Sequence, residues 1–289
     1  MKLHVQSFGE GTDIVLLHGW GLHAEVWSDV AQQLATRFRV TLIDLPGHGR
    51  SAPIEDYSLS RVAASIAEVA PPHAIWLGWS LGGIVAMHIA TTLPSRVTAL
   101  ILVASTPQFV RDDDWAHAMD GAVLESFAQA LQENHAQTVQ RFLALVASSI
   151  LRRPRMDKCR ERRMRWSGPL ATLVEPCPSQ TRGAAQGHDT LRRLRNAVMQ
   201  YPPHPDALRG GLAILRDVRL RPHLQQITCP VQIILGERDA LVPCVVGTAL
   251  RAQLVDARLN IIAAAGHAPF LSHPEEFINC INGFLDEQR

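Results

Sequence analysis

One serine of the chain lies among neighbours that suit nucleophilic catalysis. Residues 78–83 read Gly-Trp-Ser-Leu-Gly-Gly, a G-x-S-x-G pattern centred on Ser80. A serine hydroxyl is a weak nucleophile unless a general base accepts its proton and a third group orients that base. Small residues on both sides allow the serine to occupy a sharp turn between a strand and a helix. The pattern therefore predicts Ser80 as the nucleophile of a serine hydrolase.

The base and the acid should lie downstream of Ser80, because the chain order is serine, acid, histidine in hydrolases whose serine occupies such a strand-to-helix turn. His267 directly follows the last predicted strand and is the predicted base. Asp239 lies in the loop after the preceding predicted strand and is the predicted acid, with Glu237 of the same loop as its rival. The other loop that could supply the acid follows the fifth predicted strand, where Ser105 stands.

Two backbone N–H groups are predicted to bind the negative charge that develops on the substrate oxygen. The run Leu-Leu-His-Gly-Trp-Gly at 16–21 follows a strand and offers the N–H of Trp20. The second donor is the N–H of Leu81, the residue after the nucleophile. Each donor of this kind lowers the barrier by about 3 kcal/mol.

Three further histidines are assigned structural positions. His18 precedes the predicted oxyanion loop, and His48 lies in the run Asp-Leu-Pro-Gly-His-Gly-Arg-Ser at 44–51, which we expect to support that loop. Buried polar side chains of this kind are normally hydrogen-bonded. His273 precedes Pro274, which suits the first position of the C-terminal helix.

Alternating strands and helices must position these loops. Short runs rich in leucine and β-branched residues alternate with segments of helical spacing, which predicts a mostly parallel sheet flanked by helices. The predicted strands are 3–8, 13–17, 39–44, 74–79, 99–104, 231–236 and 258–263. The predicted helices are 24–36, 59–69, 81–92 and 274–286.

The alternation breaks once, over residues 108–226, where the pattern is helical. We expect an α-helical cap there, inserted between two strands of a core that comprises 1–107 and 227–289. The cap contains an atypical insertion at about 152–188, which begins with the basic run RRPRMDKCRERRMR. Long insertions of this kind are typical of lids or flexible segments.

The composition excludes several classes of protein. The 289 residues suit one α/β domain with an inserted cap, and a formal net charge of +1 provides no general attraction to nucleic acid or to an anionic membrane. No apolar run resembles a signal peptide or a membrane span, so we expect a cytoplasmic monomer. The 5 cysteines form no C-x-x-C pair, and neither a metal nor a cofactor is expected.

With these motifs in place, the chain resembles the pimeloyl-acyl-carrier-protein methyl ester esterases of bacterial biotin synthesis, which have the α/β-hydrolase fold. The resemblance rests on the runs LLHGWGL, AEVW, DLPGHGRS, IWLGWSLGG, TVQRFLAL, GGLAIL and GHAPFLSHP. It covers about 1–150 and 195–289, and the insertion adds roughly thirty residues that do not align with the family pattern.

The resemblance implies a serine carboxylesterase that cleaves the methyl ester of pimeloyl-acyl carrier protein. It implies a catalytic triad, two oxyanion donors and an aromatic residue of the acyl channel: Ser80, Asp239, His267, Trp20, Leu81 and Phe142. A general short-chain carboxylesterase, a catalytically weak binding protein, a haloperoxidase and a C–C hydrolase are the alternatives that share these residues.

The resemblance also implies that cap arginines contact an acidic acyl carrier protein. Arg141 matches one of these arginines, whereas Gln137 stands where another is expected. Arg192, Arg193 and Arg195 align loosely with the remaining positions.

Overall fold

The computed structural model describes residues 2–151, 192, 195, 196 and 198–288. Seven strands form one sheet: β1 (Val5–Phe8), β2 (Thr12–Leu17), β3 (Phe38–Ile43), β4 (Ala74–Trp79), β5 (Val97–Val103), β6 (Val231–Gly236) and β7 (Ala257–Ile262). Their order across the sheet is β1-β3-β2-β4-β5-β6-β7. β1 is antiparallel to β3, and the other neighbouring strands are parallel. The prediction of a mostly parallel central sheet is confirmed.

Helices cover the sheet and build the cap. The described helices are α1 (Ser28–Leu34), α2 (Leu59–Val69), α3 (Leu81–Thr92), α4 (Gly121–Glu133), α5 (His135–Leu151), α6 (Pro205–Asp217), α7 (Cys244–Gln253), α8 (Pro269–Ser272) and α9 (Pro274–Asp286). Short 3₁₀ turns occupy Ala24–Trp27, Pro94–Arg96 and Arg221–Gln226. None of the described helices is long and apolar enough to cross a membrane.

The predicted and observed elements differ most clearly at two helices, while several strand ends differ by one or two residues. The helix predicted over 24–36 begins as a 3₁₀ turn, and its α-helical part ends at Leu34 because β3 already begins at Phe38. The predicted helices do not include α7, whose first turn contains Val245 and Val246. β-Branched residues weaken a helical signal, since their side chains lose rotamer freedom in a helix.

The core lies around β4, the middle strand of the sheet. All six residues of β4 are buried, and α3 buries ten of its twelve residues. A strand covered on both faces and a helix that is apolar nearly all round belong to the interior of a domain. The turn between these two elements therefore lies in densely packed surroundings.

The cap lies between β5 and β6 in the chain and consists of α4, α5 and α6 in its described part. Two hydrogen bonds join the start of α6 in the cap to loops of the core. The N–H of His204 donates to the oxygen of Gly47 at 2.7 Å, and the indole N–H of Trp20 donates to the oxygen of Leu208 at 2.9 Å. The insertion at 152–188 lies outside the described residues, and the division into 1–107 with 227–289 and 108–226 stays a prediction.

Gly82 allows the first turn of α3 to approach the end of β2. A Cβ atom at this position would lie 2.6 Å from the carbonyl oxygens of Leu17 and His18. Backbone atoms cannot move away as the end of a flexible side chain can. The close contact between helix and strand therefore requires glycine here.

We predict that Gly82→Ala lowers the free energy of unfolding by about 1–3 kcal/mol, because the added methyl group overpacks this contact. Gly283→Ala is the matched control, since Gly283 lies exposed in α9 and an added Cβ would meet nothing within 4 Å. The control should stabilise the protein by about 0.5–1 kcal/mol through helix propensity. Chemical denaturation measures both, and equal effects of the two substitutions would contradict the packing argument.

Candidate active site

Ser80 forms the turn between β4 and α3. Its backbone has φ 54° and ψ −116°, a conformation that residues with a Cβ atom rarely adopt. Four hydrogen bonds hold the residue there. Its N–H donates to the oxygen of Val103 at 2.9 Å, and its oxygen accepts from the N–H groups of Gly83 and Ile84 at 3.0 and 3.3 Å and from the hydroxyl of Ser105 at 2.8 Å. Strain of this kind persists where the surroundings determine the conformation, and it concentrates at functional sites.

Asp239 and His267 form a hydrogen-bonded pair with almost no exposure to solvent. His267 Nδ1 lies 2.8 Å from Asp239 Oδ2, and the two side chains are 2% and 0% exposed. The second oxygen, Oδ1, accepts from the N–H groups of Leu241 and Val242 at 2.8 and 3.1 Å. Both carboxylate oxygens are therefore used, and the acid holds the imidazole in one orientation.

Glu237, the rival carboxylate, points elsewhere. Its Oε2 accepts a hydrogen bond from the N–H of Ala264 at 2.8 Å, and the residue is exposed. Glu237 thus braces the loop that leads to His267, whereas Asp239 contacts the imidazole directly.

The second ring nitrogen of His267 has no hydrogen-bond partner in the described part of the chain. With Nδ1–H donating to Asp239, Nε2 is a hydrogen-bond acceptor; it is buried and has no hydrogen-bond partner among the described residues, Ser80 included. A buried acceptor without a partner costs about 1–3 kcal/mol. Hydrogen bonds of a catalytic site often tighten only when the substrate binds, so the open geometry is compatible with proton transfer from Ser80.

The two predicted oxyanion donors are available. Within the described part of the chain, the backbone N–H groups of Trp20 and Leu81 donate no hydrogen bond. Two nearby N–H groups are used, since Gly21 donates to His48 Nε2 at 3.4 Å and Gly83 donates to the oxygen of Ser80. Both free donors belong to buried residues beside the turn, as an oxyanion site requires.

Two buried histidines clamp the loop that carries Trp20. His18 Nε2 accepts from the N–H of Leu45 at 2.9 Å while Nδ1 bonds the oxygen of Gly19 at 2.8 Å. His48 Nε2 accepts from Gly21, and its Nδ1 bonds the oxygen of Pro46 at 3.0 Å. The ring centroids are 5.3 Å apart. Burial lowers the pKa of both imidazoles from 6.5 to about 3, so both stay neutral.

A narrow apolar pocket opens beside Ser80. Phe142 of α5 meets the rings of Trp20, Phe127 and His267 edge-on, with centroids 5.1, 6.4 and 6.4 Å apart. The other lining side chains are apolar as well: Phe109, Met119, Val123, Leu124, Leu212, Leu215 and Leu241. Of the described residues in this lining only Ser80 presents a polar side chain other than an indole, and the pocket suits an aliphatic chain.

The remaining predicted residues lie away from this pocket. Arg141 and Gln137 are exposed on α5, and Arg192 and Arg195 are exposed as well. Arg193 lies outside the described residues. His273 lies at the start of α9, as predicted. Within the described ranges, no group of three or more His, Cys, Asp and Glu side chains could hold a metal ion.

The pocket contains residues that sequence reasoning missed. Phe127, Met119 and Leu241 carry no motif, and α4 shows only the apolar spacing of any amphipathic helix. The hydrogen bond from Ser105 to Ser80 was not predicted either, because it joins the ends of two different strands.

Comparison with known proteins places the chain among the α/β hydrolases. Residues 14–279 match the Alpha/beta hydrolase family. The chain is 38% identical over 288 residues to the pimeloyl-[acyl-carrier protein] methyl ester esterase of Chromobacterium violaceum, and the alignment covers 100% of both chains. It is 40% identical over 285 residues to the enzyme of that name from Serratia marcescens, with 98% of each chain covered.

Solved structures show the same fold. An esterase from Exiguobacterium antarcticum has a TM-score of 0.79 at 19% identity, with 98% of this chain and 95% of that chain covered. A bromoperoxidase from Bacillus anthracis has the same TM-score, identity and coverage. At such low identity the likeness concerns the fold alone.

We predict that the buried neutral histidines make the protein less stable in mild acid. Between pH 6.5 and about 3 the unfolded chain binds protons at these histidines while the folded protein does not, so stability falls as the pH falls. At pH 5 each histidine accounts for a loss of about 2 kcal/mol. His48→Gln should remove one such contribution, as measured by chemical denaturation at about pH 7.5 and about pH 5.

His73→Gln is the matched control, because His73 is exposed and its loss leaves the buried pair intact. The control should keep the pH dependence of the wild-type protein. An identical pH dependence for wild type and His48→Gln would show that His48 is not held neutral by burial.

Proposed function

Because the chain belongs to the pimeloyl-[acyl-carrier protein] methyl ester esterases of the α/β-hydrolase family, we propose that it hydrolyses the methyl ester of pimeloyl-[acyl-carrier protein]. The products are methanol and pimeloyl-[acyl-carrier protein], for use in biotin synthesis. The observation that carries the chemistry is the buried Asp239–His267 pair, whose imidazole packs edge-on against Phe142, a residue that lines the same pocket as the strained Ser80.

The first half of the reaction acylates the serine. His267 Nε2 accepts the hydroxyl proton of Ser80 as Oγ attacks the carbonyl carbon of the ester. Asp239 stabilises the imidazolium that forms, and the N–H groups of Trp20 and Leu81 donate to the oxyanion. Methanol leaves with the proton that His267 returns, and the acyl group remains on Ser80.

The second half releases the acid. Water enters the position that methanol has left, and His267 takes its proton as the water oxygen attacks the acyl carbon. The oxyanion again accepts from the two N–H groups. When the tetrahedral species collapses, the proton returns to Ser80 and the pimeloyl carboxylic acid is released, which then loses its own proton to water.

The pocket around Phe142 supports an aliphatic ester as the substrate. Among the described residues that line it there is no side-chain cation for a carboxylate, so an uncharged methyl ester fits better than the ionised product. The methylene chain of the pimeloyl group gains the apolar contacts. This difference between ester and acid favours release of the product once hydrolysis has occurred.

An acyl carrier protein is the proposed partner, through the exposed arginines of the cap. Arg141 lies on α5, the helix whose other face contributes Phe142 to the pocket. A carrier bound at Arg141 would therefore present its acyl arm close to the pocket. Arg192 and Arg195 extend the exposed basic surface in the described part of the cap.

We predict that Asp239→Asn lowers kcat for methyl ester hydrolysis by a factor on the order of 10³–10⁴, because the imidazolium loses its stabilising charge and the tautomer is no longer selected. Glu237→Gln is the matched control from the same loop and should keep kcat near the wild-type value. Ser80→Ala should abolish both turnover and labelling by a fluorophosphonate. Full activity of Ser80→Ala would end the proposal of a serine esterase.

We predict that Arg141→Glu weakens turnover of the carrier-linked ester and spares a small pimeloyl methyl ester. At low salt kcat/KM for the carrier substrate should fall about tenfold or more, and the difference should shrink as salt screens the charges. Arg61→Glu carries the same charge change on the exposed face of α2, outside the cap, and should have no such effect. Unchanged carrier-linked turnover in Arg141→Glu would favour a general short-chain carboxylesterase.

A further inference from the structure

The indole of Trp79 contacts both His267 and the loop that carries Trp20. Trp79 is the last residue of β4, directly before Ser80, and it is fully buried. Its indole N–H donates a hydrogen bond to the backbone oxygen of His267 at 2.8 Å. The two rings also lie side by side, with centroids 5.8 Å apart.

This hydrogen bond gives His267 a second anchor. Asp239 fixes the imidazole through Nδ1, and Trp79 fixes the backbone of the same residue through its oxygen. The segment before His267 turns sharply, with Ala264 at φ 60°. An anchor on the side chain alone would leave this backbone free to shift relative to Ser80.

The other end of the indole packs on the oxyanion loop. A Cβ atom at Gly19 would lie 2.9 Å from Cε3 of Trp79 and 3.2 Å from Cδ2 and Cζ3. The six-membered ring therefore lies against the backbone of Gly19, the residue before Trp20. The position of the Trp20 N–H depends on this contact as well as on the histidine clamp.

Neighbouring aromatic rings fix the indole itself. Trp27 and Phe270 meet Trp79 edge-on, with centroids 6.5 and 5.2 Å apart. Edge-to-face packing of this kind sets the orientation of a ring as well as its depth. The indole is thus a rigid spacer attached to the central strand.

We propose that Trp79 is a positioning residue, which holds the backbone of His267 and the loop of Trp20 at set distances from Ser80. The inference rests on the proposed function of these three residues. Trp79 touches no reacting atom in this role. Its contribution is the geometry in which proton transfer and oxyanion binding occur together.

Trp76 offers a matched comparison within the same strand. It is also fully buried, and its indole N–H also donates to a backbone oxygen, that of Arg96 at 3.1 Å. Arg96 belongs to the turn before β5, at the opposite end of the sheet from Ser80. Replacing either tryptophan by phenylalanine removes one buried donor and part of one ring, but only one of them contacts the site.

The first test compares Trp79→Phe with Trp76→Phe. We expect Trp79→Phe to lower kcat by a factor on the order of 10–100 with little change in KM, since small displacements of catalytic groups have effects of this size. Fluorophosphonate labelling of Ser80 should slow in parallel. Trp76→Phe should keep kcat and the labelling rate, even where thermal denaturation shows a similar loss of stability.

The outcomes separate the positioning role from the function it rests on. If wild-type protein is not labelled at Ser80, the proposed function fails. If wild type is labelled and Trp79→Phe is labelled equally fast, with kcat equal to that of Trp76→Phe, the positioning role fails and the function stands.

A second test addresses the ring contact with Gly19. Gly19→Ala should lower kcat because its methyl group pushes against the six-membered ring of Trp79. In the Trp79→Phe background this ring is shortened, so the same substitution should lower kcat by a smaller factor. Equal factors in the two backgrounds would show that the loop and the indole act independently, and would overturn the role of Trp79 at the oxyanion loop.

Discussion

The strained backbone at Ser80 is the constraint on which the other parts of the site depend. A φ of 54° outside glycine costs about 1–3 kcal/mol, and the turn persists because β4 and α3 are buried on both sides of it. The oxygen of Ser80 is held by Ser105 and its N–H by Val103, both near the end of β5. The turn therefore requires the sheet, the helix and the neighbouring strand to be in place before the hydroxyl points into the pocket.

The loops around this turn are held by buried polar groups instead of by regular structure. His18 and His48 hold the loop of Trp20 from two sides, and the carboxylate of Asp44 accepts from the N–H groups of Ala24 and Arg50 at 2.7 and 3.0 Å. Such networks are favourable only when each member is satisfied. Burial keeps both imidazoles neutral, which lets each ring donate through one nitrogen and accept through the other.

The sequence predicts the positions of the strands and helices that have a strong apolar periodicity, and of the motifs that follow them. The bounds of β4, β6, α2, α3 and α9 agree with the predictions, because apolar runs mark the strands and helical spacing marks the helices, with Pro274 as the first residue of α9. Phe127 was not predicted to face the pocket, since its place depends on how α4 packs against α5. Asp239 was predicted as the acid with Glu237 as its rival, and in the structure the carboxylate of Asp239 contacts the imidazole whereas that of Glu237 contacts the N–H of Ala264.

The hydrogen bond from the indole of Trp20 to the oxygen of Leu208 makes the turnover rate depend on the same cap that sets the substrate range. Trp20 belongs to the loop beside the nucleophile, while Leu208 belongs to α6 of the cap. A cap from a relative grafted onto this sheet would have to present a carbonyl at the same point, or the loop would lose its support. Substrate range and turnover rate are therefore inherited together in such chimaeras, and recombination at the cap borders has to preserve this contact.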